Sequence, residues 1–119
     1  MSVRFFFPKA DRLLKSPEFY KLSTFGNKVQ NRHFVATFAP GCFKRTRLGI
    51  TVTKKVGHAV TRNRIKRLSR EYFRLNKHII TGNWDINIIA RHEAAELSSN
   101  QAFLSLRNIF DKISRSINY

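Results

Sequence analysis

Acidic residues are scarce in this chain: seven Asp and Glu stand against 23 Lys and Arg, a formal charge of +16 over 119 residues. A surface so short of one sign is drawn to polyanions, either nucleic acid or a membrane face. Long apolar runs are lacking too. No stretch of about 18 apolar residues is available to span a bilayer, and the Phe5-Phe6-Phe7 triplet is too short and wrongly flanked for a signal peptide. Cysteine occurs once, as Cys42 in a Pro-Gly turn, so no intramolecular disulfide can form and a reducing cytoplasm is the expected compartment. The four histidines, His33, His58, His78 and His92, never fall at a metal-ligand spacing. There is no Gly-rich phosphate loop, no Gly-x-Ser-x-Gly and no HExxH. Glu93 and Glu96 are the only close pair of acids, and they read as solvated charges ahead of a helix, where the dipole suits them. Neither catalytic residues nor a metal site are expected in the polypeptide.

Aromatics are plentiful by contrast: eleven Phe, three Tyr and one Trp. A disordered basic tail is poor in such residues, so this chain folds. It is read as one domain over residues 1–119, large enough to bury a core without disulfide or metal. No internal repeat, low-complexity tract or linker divides it.

Residues 1–10 are irregular and aromatic, placed either across the domain or against RNA. Ser16-Pro17-Glu18 predicts a helix start, with a capping Ser, Pro at the first helical position and an acid in the first turn. That helix ends near Phe25-Gly26, where Gly is expected in a left-handed cap. Residues 33–39 and 47–53 alternate as strands, and 28–32 supply part of another. In the first of these, Phe34, Ala36 and Phe38 share one face. A helix is expected over residues 59–77, followed by a break at Thr81-Gly82-Asn83 and a strand over 84–90. The closing helix begins at a Ser98/Gln101 capping box, with Phe103, Leu106, Phe110, Ile113 and Ile117 as its apolar stripe. The order α-β-β-β-α-β-α predicts an α+β fold, a small mostly antiparallel sheet packed by three helices.

The densest signal runs from Lys54 to Lys77, with nine Lys or Arg against one acid, Glu71. Ile65, Leu68, Tyr72 and Leu75 recur at the spacing of a buried helical face, which leaves Arg62, Arg64, Lys66, Arg67, Arg70 and Arg74 to the wet surface. A helix start with free N–H groups favours phosphate. Arg adds a planar fork for phosphate oxygens or stacking on a base. Phe19 and Tyr20 on the first helix, with Phe34 and Phe38 on the next strand, would suit single-stranded bases wherever they are partly exposed beside Lys54, although a small domain keeps most of its aromatics in the core.

The segment from Lys54 to Glu71, which reads KK-x-G-x-A-V-x-RNR-x-KR-x-x-RE, resembles the RNR signature of the bacterial ribonuclease P protein subunit. The likeness extends to the Ser16 helix with Phe19, to Asn31-Arg32-x-Phe34, to Leu48-Gly49-x-x-Val52 and to Ile88-Ile89-Ala90-Arg91. It implies a small accessory subunit bound to a large catalytic RNA, removing the 5′ leader of precursor tRNA with Mg²⁺ held mainly by the RNA and no cofactor intrinsic to the protein. It would assign Lys55, Arg62, Asn63, Arg64, Lys66, Arg67 and Arg70 to the catalytic RNA. Phe19, Phe34, Thr53, Lys54 and Arg91 would line the leader cleft between the first helix and the sheet. It also implies a left-handed βαβ crossover, and a protein that is monomeric outside the complex. Two departures stand out. Ser23 occupies a position where many relatives have a second aromatic, with Tyr20 or Phe25 nearby, and His92 replaces a frequent Lys. Other classes share the charge: a ribosomal-protein-like scaffold, an independent metal nuclease, or a DNA binder, the last lacking a zipper or helix-turn-helix partner.

Overall fold

The computed structural model describes residues 11–13, 16–41 and 44–117; residues 1–10 and Cys42 lie outside them. Seven main elements follow the expected order: α1 (Ser16–Phe25), β1 (Asn27–Gln30), β2 (Phe34–Pro40), β3 (Arg47–Thr51), α2 (Ala59–Asn76), β4 (Trp84–Ala90) and α3 (Ser99–Ile117). The sheet order is β1-β2-β4-β3. β1 with β2 and β2 with β4 are antiparallel, whereas β3 and β4 run parallel. Parallel neighbours need a long crossover, and α2 supplies it. The Ser98/Gln101 capping box forms as expected, each side chain bonded to the other residue's backbone N–H at 3.2 and 2.9 Å.

Strand alternation sorts the sheet into two unlike faces. Phe34, Ala36 and Phe38 oppose Ala90, Ile88 and Ile86, and Leu48 pairs with Ile86. All are essentially buried, and α2 and α3 close over them as the main core. Tyr72 meets Phe103 edge-on at 5.7 Å and leans on Phe110 at 5.3 Å. The buried stripe of α2 is Ile65, Leu68, Ser69, Tyr72 and Phe73, which corrects the expectation for Leu75. Leu75 sits on one shoulder of the stripe and is 36% exposed. Phe73 sits on the other shoulder, packs on Phe110 at 6.2 Å and is fully buried. In α3 the stripe is wider than expected: Ala102, Ser105 and Ile109 are buried beside Leu106, Phe110 and Ile113, while Phe103 and Ile117 pack at its margin.

The opposite face carries Val35, Thr37 and Ala39 beside Asp85, Asn87 and Ile89, with Arg47, Gly49 and Thr51 on the edge strand. α1 crosses the half of this face nearest the starts of β3 and β4. Arg47 forks onto both carboxylate oxygens of Asp85 at 2.9 Å and reaches Glu18 of α1 at 2.6 Å. The Asp85 hydrogen bonds, opposed by burial and aided by Glu18, raise the Arg47 pKa from its ordinary value, so this clamp stays charged. Gly49 makes room for Phe19, because a Cβ there would stand 2.4 Å from the ring. Gly26 is needed for a different reason from the one expected. Its φ is not positive; a Cβ would meet Leu22 O at 2.6 Å and Phe38 O at 3.1 Å where α1 turns into β1. Positive φ occurs instead at Gly82, +89° in the turn before β4, and at Gly57, +158° ahead of α2.

One feature was not legible from the alternation. Residues 11–13 lie along the outer edge of β3, with Arg12 bridging Leu48 and Leu13 N–H donating to Leu48 O at 2.9 Å. Asp11, buried at 3% exposure, accepts from Arg45 at 2.7 Å and Lys77 at 2.8 Å. An edge strand that would otherwise offer unpaired backbone is thereby covered.

Candidate nucleic-acid interface

At 100° per residue, Asn63, Arg67 and Arg70 form one column on α2 directly opposite the buried stripe, and all three are exposed. Arg62 and Lys66 flank that column on one side and Arg64 on the other, each half-buried. The helix starts at His58, whose backbone is extended and whose side chain makes no capping bond. The first-turn N–H groups are therefore left without a side-chain cap. Towards the far end, Arg74 is paired with Glu71 through both carboxylate oxygens, at 3.1 Å from Nε to Oε2 and by a second, shorter bond. That pair lowers the Glu71 pKa and raises that of Arg74, so the cationic field is strongest over the first three turns. Two members of the RNR triplet are also partly turned inward, one tied and one not. Arg64 donates from Nη2 to Leu97 O at 2.6 Å, and the Nε of Arg62 is buried without a partner.

The half of the second sheet face that α1 leaves uncovered lies at the carboxyl ends of β3 and β4. Val35, Thr51 and Ile89 are half-buried there, with the Thr51 hydroxyl 3.2 Å from Asn87 Oδ1. Phe19, expected exposed, is half-buried against Gly49 at the margin of this floor. Beyond β3 the chain enters a 3₁₀ turn, Lys54–Val56, which leaves Thr53, Lys54 and Lys55 exposed. Arg91 follows β4 and is exposed. Its N–H donates to His33 O at 2.9 Å and its Nη1 to Asn31 O at 3.4 Å. Phe19, Thr53, Lys54 and Arg91 thus border one open floor. Phe34 does not: with 1% exposure it belongs to the core on the other side of the sheet. The alternation that pairs it with Ala36 and Phe38 dictates this, and Val35 takes its place on the cleft side. Ser23 is exposed beside Phe19, and Tyr20 is the next aromatic round the helix, 70% exposed. Phe25, at 78%, lies on the opposite flank of α1. His92 is exposed and pairs with Glu93 at 2.8 Å.

Asn31 has a role that its place in the motif did not disclose. Its Oδ1 accepts from the N–H groups of His33 and Phe34 at 2.9 and 2.8 Å. Its Nδ2 donates to Ser105 O, Ser105 Oγ and Asn108 Oδ1 at 3.0 to 3.1 Å. One side chain therefore shapes the β1–β2 turn and fastens it to α3. Among the described residues no group of three His, Cys, Asp or Glu could hold a metal ion, and no helix is long and apolar enough to cross a membrane.

Fold and site together define a class: a small, strongly basic α+β protein that turns a column of cations outward on one helix, next to a half-open sheet face. The ribonuclease P family matches residues 7–114. The ribonuclease P protein component of Desulforapulum autotrophicum is 52% identical over 110 residues, covering 92% of this chain and 94% of its own. That of Staphylococcus epidermidis is 40% identical over 92% of this chain and 95% of its own. Among solved structures, the Staphylococcus aureus RNase P protein superposes with a TM-score of 0.83 at 38% identity, over 88% of this chain and 96% of that one. The Thermotoga maritima protein gives 0.75 at 33%, over 82% and 93%. The chain belongs to the ribonuclease P protein family.

Proposed function

We propose that this protein is the subunit of ribonuclease P that docks on the catalytic RNA through α2 and holds the 5′ leader of precursor tRNA along the open half of the sheet. The observation that carries the reading is the junction of two surfaces. The outward column of α2 (Asn63, Arg67, Arg70, flanked by Arg62 and Lys66) begins just after the Lys54–Val56 turn that borders the cleft. One RNA can therefore be gripped by the helix while a single strand reaches the sheet. Cations between two RNAs lower their mutual repulsion, and a floor of Val35, Ile89 and Thr51 with the Phe19 ring at its edge suits stacked bases better than a duplex.

The catalytic centre is assigned to the RNA. With it goes the Mg²⁺ that the family implies, whose chemistry there would be to activate water and stabilise the leaving oxygen. This chain contributes charge, orientation and a longer substrate contact, acting in the cytoplasm as a monomer that joins one ribonucleoprotein. The test is cleavage of precursor tRNA at low Mg²⁺ by protein alone, cognate RNA alone, and both. Cleavage only by the pair is expected. No gain over RNA alone would turn the reading towards a scaffold on another RNA, and cleavage by protein alone would mean a nuclease.

A further inference from the structure

We propose that Arg64 is a positioning residue within the protein: by holding Leu97 O it ties the RNA-facing helix to the segment that presents Arg91 at the cleft. The proposal rests on the leader-binding reading above. Arg64 sits beside the outward column, not in it, half-buried, and its Nη2 lies 2.6 Å from a carbonyl 33 residues away. Leu97 is extended, at φ −67° and ψ 135°, between the 3₁₀ turn His92–Glu96 and the cap of α3. Its carbonyl precedes the helix, so α3 does not satisfy it through its own ladder, and a guanidinium supplies a charge-assisted donor. At its other end the same segment is held by Arg91 N–H on His33 O and Arg91 Nη1 on Asn31 O. Asn31 is in turn fastened to Ser105 and Asn108 of α3. In between, Ala94 is buried at 2% exposure, and the His92–Glu96 turn that carries it packs against the Lys54–Val56 turn and α2. Residues 91–97 therefore form a short bridge clamped at both ends, with Arg91 at one end and Arg64 as the clamp on the other. A lysine at 64 keeps the charge but loses the planar, directed N–H that this carbonyl receives.

This reading separates Arg64 from Arg67, which lies in the outward column. The experiment compares Arg64→Ala, Arg64→Lys and Arg67→Ala in two assays. One is the salt dependence of binding to the catalytic RNA. The other is the affinity of the holoenzyme for precursor tRNA relative to leaderless tRNA. Both Arg64 variants are expected to keep the wild-type salt slope and to lose about five- to tenfold in preference for the leader, the scale of one net hydrogen bond. Arg67→Ala is expected to lower the slope by about one. A slope lowered by Arg64→Ala and restored by Arg64→Lys would overturn the proposal and make Arg64 a phosphate contact. So would an unchanged leader preference in both variants. Amide exchange over residues 92–98 supplies a readout independent of leader binding: faster exchange in a folded Arg64→Lys protein is expected, and unchanged exchange overturns the tie. A wild-type holoenzyme with no leader preference would defeat the function proposed above, while the exchange result would still decide the clamp.

Discussion

At the scale of single residues, the cleft is set by a pair the sequence only half disclosed. Phe19 was singled out by the family resemblance alone, and its ring is half-buried because Gly49 lets it settle against the sheet. Glycine is there for space, not for a special φ. Phe19→Ala should leave assembly with the catalytic RNA intact and weaken only substrates carrying a leader; equal weakening on mature tRNA would remove the ring from the cleft. Gly49→Ala makes the complementary case. A methyl group 2.4 Å from the Phe19 ring and 3.1 Å from Leu13 Cβ must push α1 off the sheet or turn the ring out. The overpacking should cost about 1–3 kcal/mol, visible as a lower denaturation midpoint, together with a loss of leader affinity like that of Phe19→Ala. A variant as stable as wild type, with wild-type leader binding, would show that the ring moves freely and sets nothing.

At the scale of elements, periodicity revealed the long helices α2 and α3 and strands β2, β3 and β4, whereas α1 was legible from its Ser16-Pro17-Glu18 start and β1, with no buried residue, only as part of a strand over 28–32. What it missed was decided by neighbours. Leu75 and Phe73 lie on opposite shoulders of the same stripe, and only the position of α3 selects Phe73. Phe34 was placed in the cleft by resemblance, although the alternation of β2 already set it beside Ala36 and Phe38 in the core. Arg47, Asp11 and Asn31 carry no local signal of their long-range partners, which lie 29 to 77 residues away. Packing of α2 on α3 has a pH signature. Burial of Tyr72, reinforced by Asp111 and opposed by Arg107, raises its phenol above the ordinary value of 10.0. The folded chain then holds that proton more tightly than the unfolded one. This contribution to stability is present below the unfolded value and is lost as pH rises through it towards the folded one. Tyr72→Phe keeps the ring against Phe103 and Phe110 and removes the titration. Its stability should fall less steeply than that of wild type above about pH 10. Parallel alkaline curves for the two proteins would mean that the phenol reaches water.

At the scale of the whole molecule, the formal charge of +16 acts with opposite sign on folding and on assembly. The free protein concentrates like charges, with the seven acids partly consumed internally: Glu18 and Asp85 on Arg47, Asp11 on Arg45 and Lys77, Glu71 on Arg74. The cations left over repel one another across the surface, and added salt screens that repulsion within a Debye length of about 10 Å at 0.1 M. Salt should therefore raise the melting temperature of the free protein. Binding runs the other way, since each phosphate contact releases condensed counterions. If Lys55, Arg62, Lys66, Arg67 and Arg70 each meet one phosphate, the logarithmic slope is about −4, and affinity falls by about two to three orders of magnitude between roughly 50 and 200 mM salt. Melting of the protein with and without catalytic RNA over that range tests both halves at once: the free curve should rise and the stabilisation by RNA should shrink until the two meet. A free protein that melts lower in added salt would show that its internal ion pairs outweigh its self-repulsion. A stabilisation by RNA that salt does not erode would show that α2 meets its partner through something other than phosphate charge.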